Sequence, residues 1–179
     1  MKLYVIAGKA GSGKNTCANY IKEYYENKGK KVVLTEISKY LKVFAKEIID
    51  WDGSYETKPR SFLQELGSKI RYTLFDEDFL LNRLKEDIKI YNDYADVLVI
   101  SDARLPREID FLKSLSNSTT IKVINKFSDY ELKGEEKYHE TETSLDNYNA
   151  FDYIFENDTL DNFKNKIYNM IEEVDSNEN

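Results

Sequence analysis

Gly8-Lys9-Ala10-Gly11-Ser12-Gly13-Lys14-Asn15-Thr16 is the stretch that decides the fold of this 179-residue chain. It follows a short apolar run, residues 3–7, and precedes a segment whose apolar residues recur at helical spacing. The order of strand, glycine-rich loop and helix, with the spacing G-x-x-x-x-G-K, is typical of a phosphate-binding loop of the Walker A type. The glycines permit positive φ, so consecutive backbone N–H groups can surround one anion, and the helix adds the positive end of its dipole.

We expect this loop to bind the phosphates of a nucleoside triphosphate, with Lys14 reaching the terminal phosphates. The motif usually continues with Ser or Thr, whose hydroxyl binds Mg²⁺, but here Asn15 follows the lysine and Thr16 comes next. An amide oxygen can also bind Mg²⁺, although more weakly than that hydroxyl. Asn15 is therefore the predicted metal ligand of the loop. The expected phosphate-binding residues are Gly8, Ala10, Gly11, Ser12, Gly13, Lys14, Asn15 and Thr16.

The bulk composition argues against several classes of function. The formal net charge of −7 disfavours broad binding to nucleic acid or to an anionic membrane, since both require a basic face. No apolar run approaches the ~20 residues of a transmembrane helix, and the N-terminus enters a strand without a signal-peptide pattern. The single cysteine, Cys17, excludes an internal disulfide and is predicted to be buried. We therefore expect a cytoplasmic protein, whose oligomeric state the sequence leaves open, a homodimer included.

Apolar periodicity predicts strands that alternate with helices. The predicted strands are 2–7, 32–34, 97–100, 121–124 and 153–155, and the predicted helices are about 14–28, 38–51, 59–73, 76–91, 106–116 and 159–173. This alternation predicts an α/β, three-layer P-loop NTPase fold, with a mostly parallel five-stranded sheet and helices on both faces. Residues 1–179 are expected to form a single domain, with a helical insertion at about 51–92, a lid loop at about 126–148 and fraying from Asp175.

In such sheets ligands bind beyond the carboxyl ends of the strands. Asp102 follows the apolar strand 97–100 directly, where a carboxylate can hold Mg²⁺ through water; a turn or helix-capping aspartate is the alternative. Arg104 is placed to reach a phosphate, with a surface ion pair as the alternative. Every arginine of the chain lies between Arg60 and Arg107, and the guanidinium group suits bidentate phosphate contacts.

The predicted helix 59–73 carries Arg60, Gln64 and Arg71, with Gly67 between them. A glycine inside a helix costs about 1 kcal/mol relative to alanine. Gly67 therefore indicates either a closely packed neighbour or a break in the helix.

The predicted lid loop is polar, shows no convincing period and contains the single histidine, His139. One histidine without a nearby cysteine or second histidine makes a poor zinc site, so a lid or surface role is expected instead of catalysis. Asn125 and Lys126 follow a strand, as in the guanine-reading N-K-x-D motif. Because Ser128 replaces the aspartate and position 105 has no switch glycine, a GTPase is disfavoured.

Three blocks of sequence together resemble the phage-type deoxynucleoside monophosphate kinase family of P-loop kinases. Residues 8–16 are similar to G-K-x-x-S-G-K-D-T, residues 60–71 to R-x-x-L-Q-x-L-G-x-x-x-R, and residues 100–108 to a block containing S-D-x-R-x-P-x-E. A fainter similarity joins residues 139–142 to H-x-S-E, followed by residues 157–159 near the last strand.

The resemblance implies ATP-dependent transfer of the γ-phosphoryl group to a (deoxy)nucleoside monophosphate, giving the diphosphate, with Mg²⁺ and with the P-loop strand in the middle of the sheet. Matched positions place Gly11, Gly13, Lys14 and Thr16 at the ATP phosphates, Arg71 and Arg104 at the acceptor or transferred phosphate, and Asp102 near the metal. The expected catalytic residues are Lys14, Arg71, Asp102 and Arg104, and the expected substrate-binding residues are Arg60, Gln64, Arg71 and Arg104.

The predicted lid contains no arginine, so Lys126, Lys133 or Lys137 would have to neutralise charge there, and lysine cannot make the forked contact. Two alternatives stay open at this point. One is a P-loop kinase for a non-nucleotide acceptor, of the phosphomevalonate or dephospho-coenzyme A type. The other is a nucleotide-binding regulatory module without transfer. The sequence indicates small-molecule nucleotide substrates in the first instance.

Overall fold

A five-stranded parallel sheet places the strand that leads into the phosphate loop at its centre. The computed structural model describes residues 1–115, 117–125 and 134–177. The strands are β1 (Lys2–Ala7), β2 (Val32–Thr35), β3 (Val97–Ala103), β4 (Ser118–Ile124) and β5 (Tyr153–Glu156). Their order is β2-β3-β1-β4-β5, and all four pairings are parallel. The carboxyl ends of the strands therefore meet at one edge of the sheet.

Helices cover both faces of the sheet, which confirms the predicted α/β fold. They are α1 (Lys14–Glu26), α2 (Lys39–Ile49), α3 (Arg60–Lys69), α4 (Phe79–Tyr94), α5 (Pro106–Lys113), α6 (Glu140–Thr143) and α7 (Leu160–Asn177). On one face the core joins β1 and β3 to apolar residues of α2, α3, α4 and α5. On the other face α1 and α7 pack together against the sheet. Within the described residues, no helix combines the length and the apolar character that crossing a membrane requires.

Alternate side chains of β1 supply both cores. Leu3 and Val5 belong to one apolar cluster, whereas Tyr4 and Ile6 belong to the other, and all four are buried. This burial on both faces is the pattern of a central parallel strand, and it explains the continuous apolar run that precedes the phosphate loop.

The structure extends β3 beyond its predicted end. The predicted strand stopped at Ile100, but the pairing with β1 continues until Ala7 lies beside Ala103, after an irregularity between Val5 and Ala7. Asp102 therefore lies inside the strand instead of directly after it. The apolar pattern ended early because Ser101 and Asp102 are polar although their backbone remains in the sheet.

The inserted helices lie between β2 and β3. The predicted helix 59–73 is α3 followed by a π-helical turn, Ile70–Leu74. Gly67 is buried within α3, so the predicted alternative of a helix break is wrong and close packing is right. A β-carbon at this position would lie 3.2 Å from Leu41 Cδ1 and 3.3 Å from Arg71 Nη1.

The described part of the predicted lid loop contains regular secondary structure. It contains a 3₁₀ turn (Gly134–Tyr138) and the short helix α6. His139 begins α6, because its side chain accepts a hydrogen bond from the Thr141 N–H. A helix of four residues is too short to produce a recognisable apolar period, which is why the sequence pattern missed it.

The predicted fraying from Asp175 is also wrong. Helix α7 continues to Asn177, and the Asp175 carboxylate accepts hydrogen bonds from Lys2 Nζ at 2.5 Å and from the Tyr25 hydroxyl at 2.7 Å. The Tyr25 hydroxyl also lies 2.8 Å from that of Tyr4. Asp175 therefore connects the end of the chain to β1 and α1.

We expect the substitution Asp175→Ala to lower the free energy of unfolding by about 1–2 kcal/mol, because a charged acceptor serving two side chains is lost at a half-buried site. Denaturant titration of this variant beside Glu172→Ala, which removes an exposed carboxylate of the same helix, measures the difference. Equal stability of the two variants would contradict the anchoring role of Asp175.

Candidate active site

The backbone of the glycine-rich loop adopts a conformation that side chains would oppose. Gly8 has φ +147°, and a β-carbon there would lie 2.4 Å from the carbonyl oxygen of Val123 in β4. Gly13 has φ +100°, and a β-carbon there would lie 2.2 Å from Nδ2 of Asn157. Asn157 in turn donates a hydrogen bond to the Ser12 carbonyl at 3.2 Å. Both glycines are therefore required by positive φ and by close neighbours.

Helix α1 begins at Lys14 without a side-chain cap. The N–H groups of its first turn have no partner within the helix, so they face the loop as donors together with the positive end of the helix dipole. The Ser12 hydroxyl is buried and has no hydrogen-bond partner among the described residues. This arrangement is the one that binds a phosphate group at a helix N-terminus.

Lys14 lies folded over the loop. Its ammonium donates to the carbonyl oxygens of Gly8 at 2.8 Å and Lys9 at 2.7 Å. The pKa of Lys14 is lowered to about 7, chiefly by burial and also by the positive charge of Arg104. An ammonium has three donors, so one remains for a ligand.

The carboxylate of Glu142 connects α6 to the loop. Its Oε2 accepts a hydrogen bond from the Ala10 N–H at 3.0 Å, and its Oε1 lies 2.8 Å from Nη1 of Arg104. Arg104 Nη1 also donates to the Thr141 carbonyl at 3.4 Å. Glu142 is buried. A loop amide and Arg104 thus already hold an anionic group, which shows that this corner of the site accommodates negative charge.

Asp102 and Glu108 fix the backbone around the end of β3. The two oxygens of Asp102 accept hydrogen bonds from the backbone N–H groups of Ile37 at 2.7 Å and Ser38 at 3.0 Å. Glu108 accepts from the N–H groups of Arg104 at 2.7 Å and Leu105 at 3.0 Å. Burial raises the pKa of Glu108 to about 7.

Arg71 lies at the bottom of an inner pocket. Its side chain is 5% exposed, and its Nη2 donates to Glu140 Oε1 at 2.6 Å. Arg71 Nε is buried without a hydrogen-bond partner among the described residues. Since a buried donor without a partner costs about 1–3 kcal/mol, an anion in this pocket would supply a favourable contact.

The other predicted residues of the insertion line the same inner pocket. Arg60 lies 5.3 Å from the centre of the Tyr55 ring, and Gln64 donates to the Glu136 carbonyl at 3.2 Å. Apolar side chains complete the wall, namely Ile37, Leu41, Leu63 and Leu80.

His139 is occupied by structural contacts. Its Nε2 lies 3.1 Å from the Ser68 hydroxyl, and its Nδ1 lies 3.0 Å from the Thr141 hydroxyl. Burial lowers the pKa of His139. The residue therefore joins α6 to α3.

The loop pocket and the inner pocket share a wall. The loop pocket is lined by residues 10–15, and the inner pocket by Gln64, Gly67 and Arg71. The residues that line both are Glu36, Lys42, Lys58, Arg60, Asp102 and Arg104. The shared wall therefore carries four cations beside the carboxylates of Glu36 and Asp102. Two adjoining spaces with cations between them would suit a transfer between two phosphorylated ligands.

Comparison with known families identifies the family of the chain. The family model for deoxynucleotide monophosphate kinase matches residues 29–167. The chain belongs to this family. It is therefore a phosphotransferase that uses a nucleotide. The matched stretch begins after the glycine-rich loop, so the loop is an observation additional to the family match. No curated protein matches the chain in sequence.

Solved structures show the same fold at low sequence identity. The Mycobacterium tuberculosis APS kinase in complex with AMPPNP and APS is 13% identical, with a TM-score of 0.60, and the alignment covers 96% of this chain and 97% of that chain. An unliganded sugar kinase from Janibacter sp. HTCC2649 is also 13% identical, with a TM-score of 0.57 and coverage of 96% and 95%. Both likenesses concern the fold alone.

Gly8 and Thr16 line neither the loop pocket nor the inner pocket, whereas the other predicted site residues line one or both. The predicted lysines of the lid are placed differently. Lys137 is exposed and lies 4.9 Å from the centre of the Tyr138 ring. Lys126 and Lys133 lie outside the described residues. The described structure therefore places none of these three lysines in the shared wall.

Sequence reasoning missed several residues of the site. Glu140 and Glu142 belong to the H-x-S-E similarity, which was the one available signal for them. Asn157 had a similar faint signal. Lys58 lies in a segment that the pattern assigned to a loop, and its position two residues before Arg60 was the sole indication.

We expect nucleotide binding to take up a proton at Lys14. With a pKa of about 7 in the unliganded chain, Lys14 is mostly uncharged at pH 8. Bound phosphates raise its pKa, so ATP affinity falls as the pH rises above 7, by at most about tenfold per unit. The positive charges of Arg104 and Lys58 lower the pKa of Lys14, whereas the negative charges of Glu142 and Asp102 raise it.

Titration calorimetry with ATP at pH 8, in two buffers of different ionisation enthalpy, measures this uptake. The wild-type chain should take up close to one proton more than Lys14→Met at pH 8, and the difference should shrink towards pH 6. Equal uptake by the two chains at pH 8 would show that Lys14 does not titrate with binding.

Proposed function

We propose that this chain catalyses ATP-dependent transfer of the γ-phosphoryl group to a (deoxy)nucleoside monophosphate, giving the diphosphate. The observation that carries the proposal is the shared wall between the loop pocket and the inner pocket. Family membership supports a nucleotide as substrate, and the wall supplies the geometry for direct transfer between two ligands.

The glycine-rich loop is the proposed donor site. Backbone N–H groups of the loop and the first turn of α1 would hold the phosphates of ATP, and Lys14 would contact the terminal phosphates. The contact between Glu142 and the Ala10 N–H supports this assignment, because it demonstrates that a loop amide can serve an anionic oxygen.

The inner pocket is the proposed acceptor site. Arg71, with its unpartnered Nε, and Arg104 would bind the monophosphate, while Arg60 and Gln64 lie along the wall with the apolar residues that suit a base. The cavity is about 130 Å³, whereas pockets for small molecules usually measure ≈ 300–1,000 Å³. The acceptor therefore requires the space to widen, and α6 is the element whose carboxylates hold both arginines.

The chemical step needs no covalent enzyme intermediate. An oxygen of the acceptor monophosphate forms a bond to the γ-phosphorus, and the bond from that phosphorus to the β–γ bridging oxygen breaks, which releases ADP. No proton has to move, because both phosphates are ionised. The protein aligns the two ligands and stabilises the negative charge of a loose transition state. Closure of α6 over the site would exclude water and suppress hydrolysis of ATP.

Magnesium is the metal that this proposal requires. No group of three or more His, Cys, Asp and Glu side chains in the described residues is arranged to hold a metal, but Mg²⁺ at phosphates needs only one or two protein ligands. Asn15 is exposed and lines the loop pocket with Asp102, so an amide oxygen and a carboxylate are available there. These residues would hold Mg²⁺, directly or through water, and the ion would neutralise phosphate charge when bound.

An acceptor panel tests the proposed function. Incubation of the chain with ATP, Mg²⁺ and each common ribonucleoside or deoxynucleoside monophosphate should give a diphosphate product with at least one acceptor. Phosphomevalonate and dephospho-coenzyme A belong in the same panel as non-nucleotide acceptors. Ion-exchange chromatography of the products measures transfer.

The variant Lys14→Ala serves as the control, since it should lose transfer while its circular dichroism stays that of the wild type. Transfer only to a non-nucleotide acceptor would show that the acceptor is not a nucleoside monophosphate. Tight binding of ATP without transfer to any acceptor in the panel would contradict the proposal.

A further inference from the structure

Four cations occupy the wall that the loop pocket and the inner pocket share: Lys42, Lys58, Arg60 and Arg104. Three of them are engaged by the protein itself. Lys42 forms an ion pair with Glu36, Arg104 forms one with Glu142, and the guanidinium of Arg60 packs over the Tyr55 ring. These three side chains already have partners in the unliganded chain.

Lys58 differs from the other three. In the part of the chain that the structure describes, its ammonium has neither a hydrogen-bond acceptor nor an ion-pair partner, although the side chain is only partly exposed. Burial lowers the pKa of Lys58, and the positive charges of Lys42 and Arg60 act in the same direction. The carboxylates of Glu36 and Asp102 act in the opposite direction, and the net pKa is still lowered. An anion that reached this wall would satisfy the ammonium and offset the repulsion between like charges.

The backbone holds Lys58 in place. Its carbonyl accepts a hydrogen bond from the Arg60 N–H at 2.9 Å, and the next residue, Pro59, precedes α3 and has a fixed φ. The stem of the side chain therefore starts from an ordered point at the N-terminus of α3. Lys58 is thus a cation on a supported backbone, between the proposed donor and acceptor sites.

We propose that Lys58 is a catalytic residue that contacts the phosphoryl group as it passes from ATP to the acceptor. This inference rests on the proposed function for the identity of the step. It assigns to Lys58 the neutralisation of charge that the sequence had suggested for lysines of the segment 126–148.

In this role Lys58 acts as a point charge. It donates N–H groups to oxygens of the transferred phosphoryl group and neither gains nor loses a proton, so the bonds formed and broken are those of the transfer itself. Because lysine is a compact cation with rotatable donors, it can follow the phosphorus over the short path between the two pockets. The contact is present with ATP and absent with ADP, which lacks the γ-phosphate.

Two measurements on Lys58→Met test the proposal. Titration calorimetry gives the affinities for ATP and ADP. We expect the affinity of the variant for ATP to be about tenfold lower than that of the wild type, and its affinity for ADP to be unchanged. Single-turnover transfer to the acceptor found in the panel should slow by about 100-fold or more, the effect of removing one donor to transition-state charge. Lys58→Arg should restore part of the rate, since it keeps the charge.

The matched control is Lys89→Met, which removes an exposed lysine of α4 and should bind and transfer like the wild type. Circular dichroism and thermal unfolding of all three variants separate loss of fold from loss of the contact. Should Lys58→Met misfold, Lys58→Gln replaces it with a polar side chain of similar length.

The outcomes distinguish this inference from the proposed function. If the wild-type chain transfers to a monophosphate and Lys58→Met transfers at the same rate, the role of Lys58 is overturned and the proposed function stands. If the wild-type chain transfers to no monophosphate, the proposed function fails. The ratio of ATP to ADP affinity then decides alone whether Lys58 contacts the γ-phosphate. An unchanged ratio in Lys58→Met then overturns the contact, and a reduced ratio supports it.

Discussion

The sharp connection between β1 and α1 is the constraint on which the rest of the site depends. Strand β1 is buried on both faces and paired on both edges, so its end cannot shift, and α1 is fixed by its packing on α7. Only glycine at positions 8 and 13 allows the chain to turn within that space. The central strand and the core therefore fix where the loop lies, and the proposed anion binding through its N–H groups would follow from the fold rather than from flexible side chains.

A second feature is the way in which the chain neutralises its own cationic site. The protein as a whole is acidic, with a net charge of −7, yet cations collect at the carboxyl ends of its strands. Glu140 holds Arg71, and Glu142 holds Arg104 together with the Ala10 N–H. Because both carboxylates belong to α6, one short helix contacts the glycine-rich loop and both arginines at once. Under the proposed function, entering phosphates would compete with these carboxylates for the same partners, and this competition would couple binding to movement of α6.

Much of the fold was available from the sequence, since a parallel sheet requires apolar strands and the glycine-rich loop marks the central one. The five strands and the helices on both faces were predicted correctly, and Gly67 was correctly suspected of close packing. The sequence pattern failed where backbone pairing outlasts the apolar run, as at Asp102, and where a helix is too short to show a period, as in α6. It failed again at Asp175, because contacts with Lys2 and Tyr25 come from segments distant in sequence. The assignment of Lys58 needed three-dimensional structure, since nothing in a local pattern shows that a lysine faces two pockets.

The central claim is that residues 8–16 hold a polyphosphate through their backbone N–H groups at the start of α1. A crystal structure of the chain with a non-hydrolysable ATP analogue tests it most directly. The account predicts the triphosphate enclosed by the loop, with N–H groups of residues 11–16 within hydrogen-bond distance of phosphate oxygens and with Lys14 at the terminal phosphates. A structure in which the analogue binds elsewhere, or in which the loop stays empty with its N–H groups turned outward, would contradict the account.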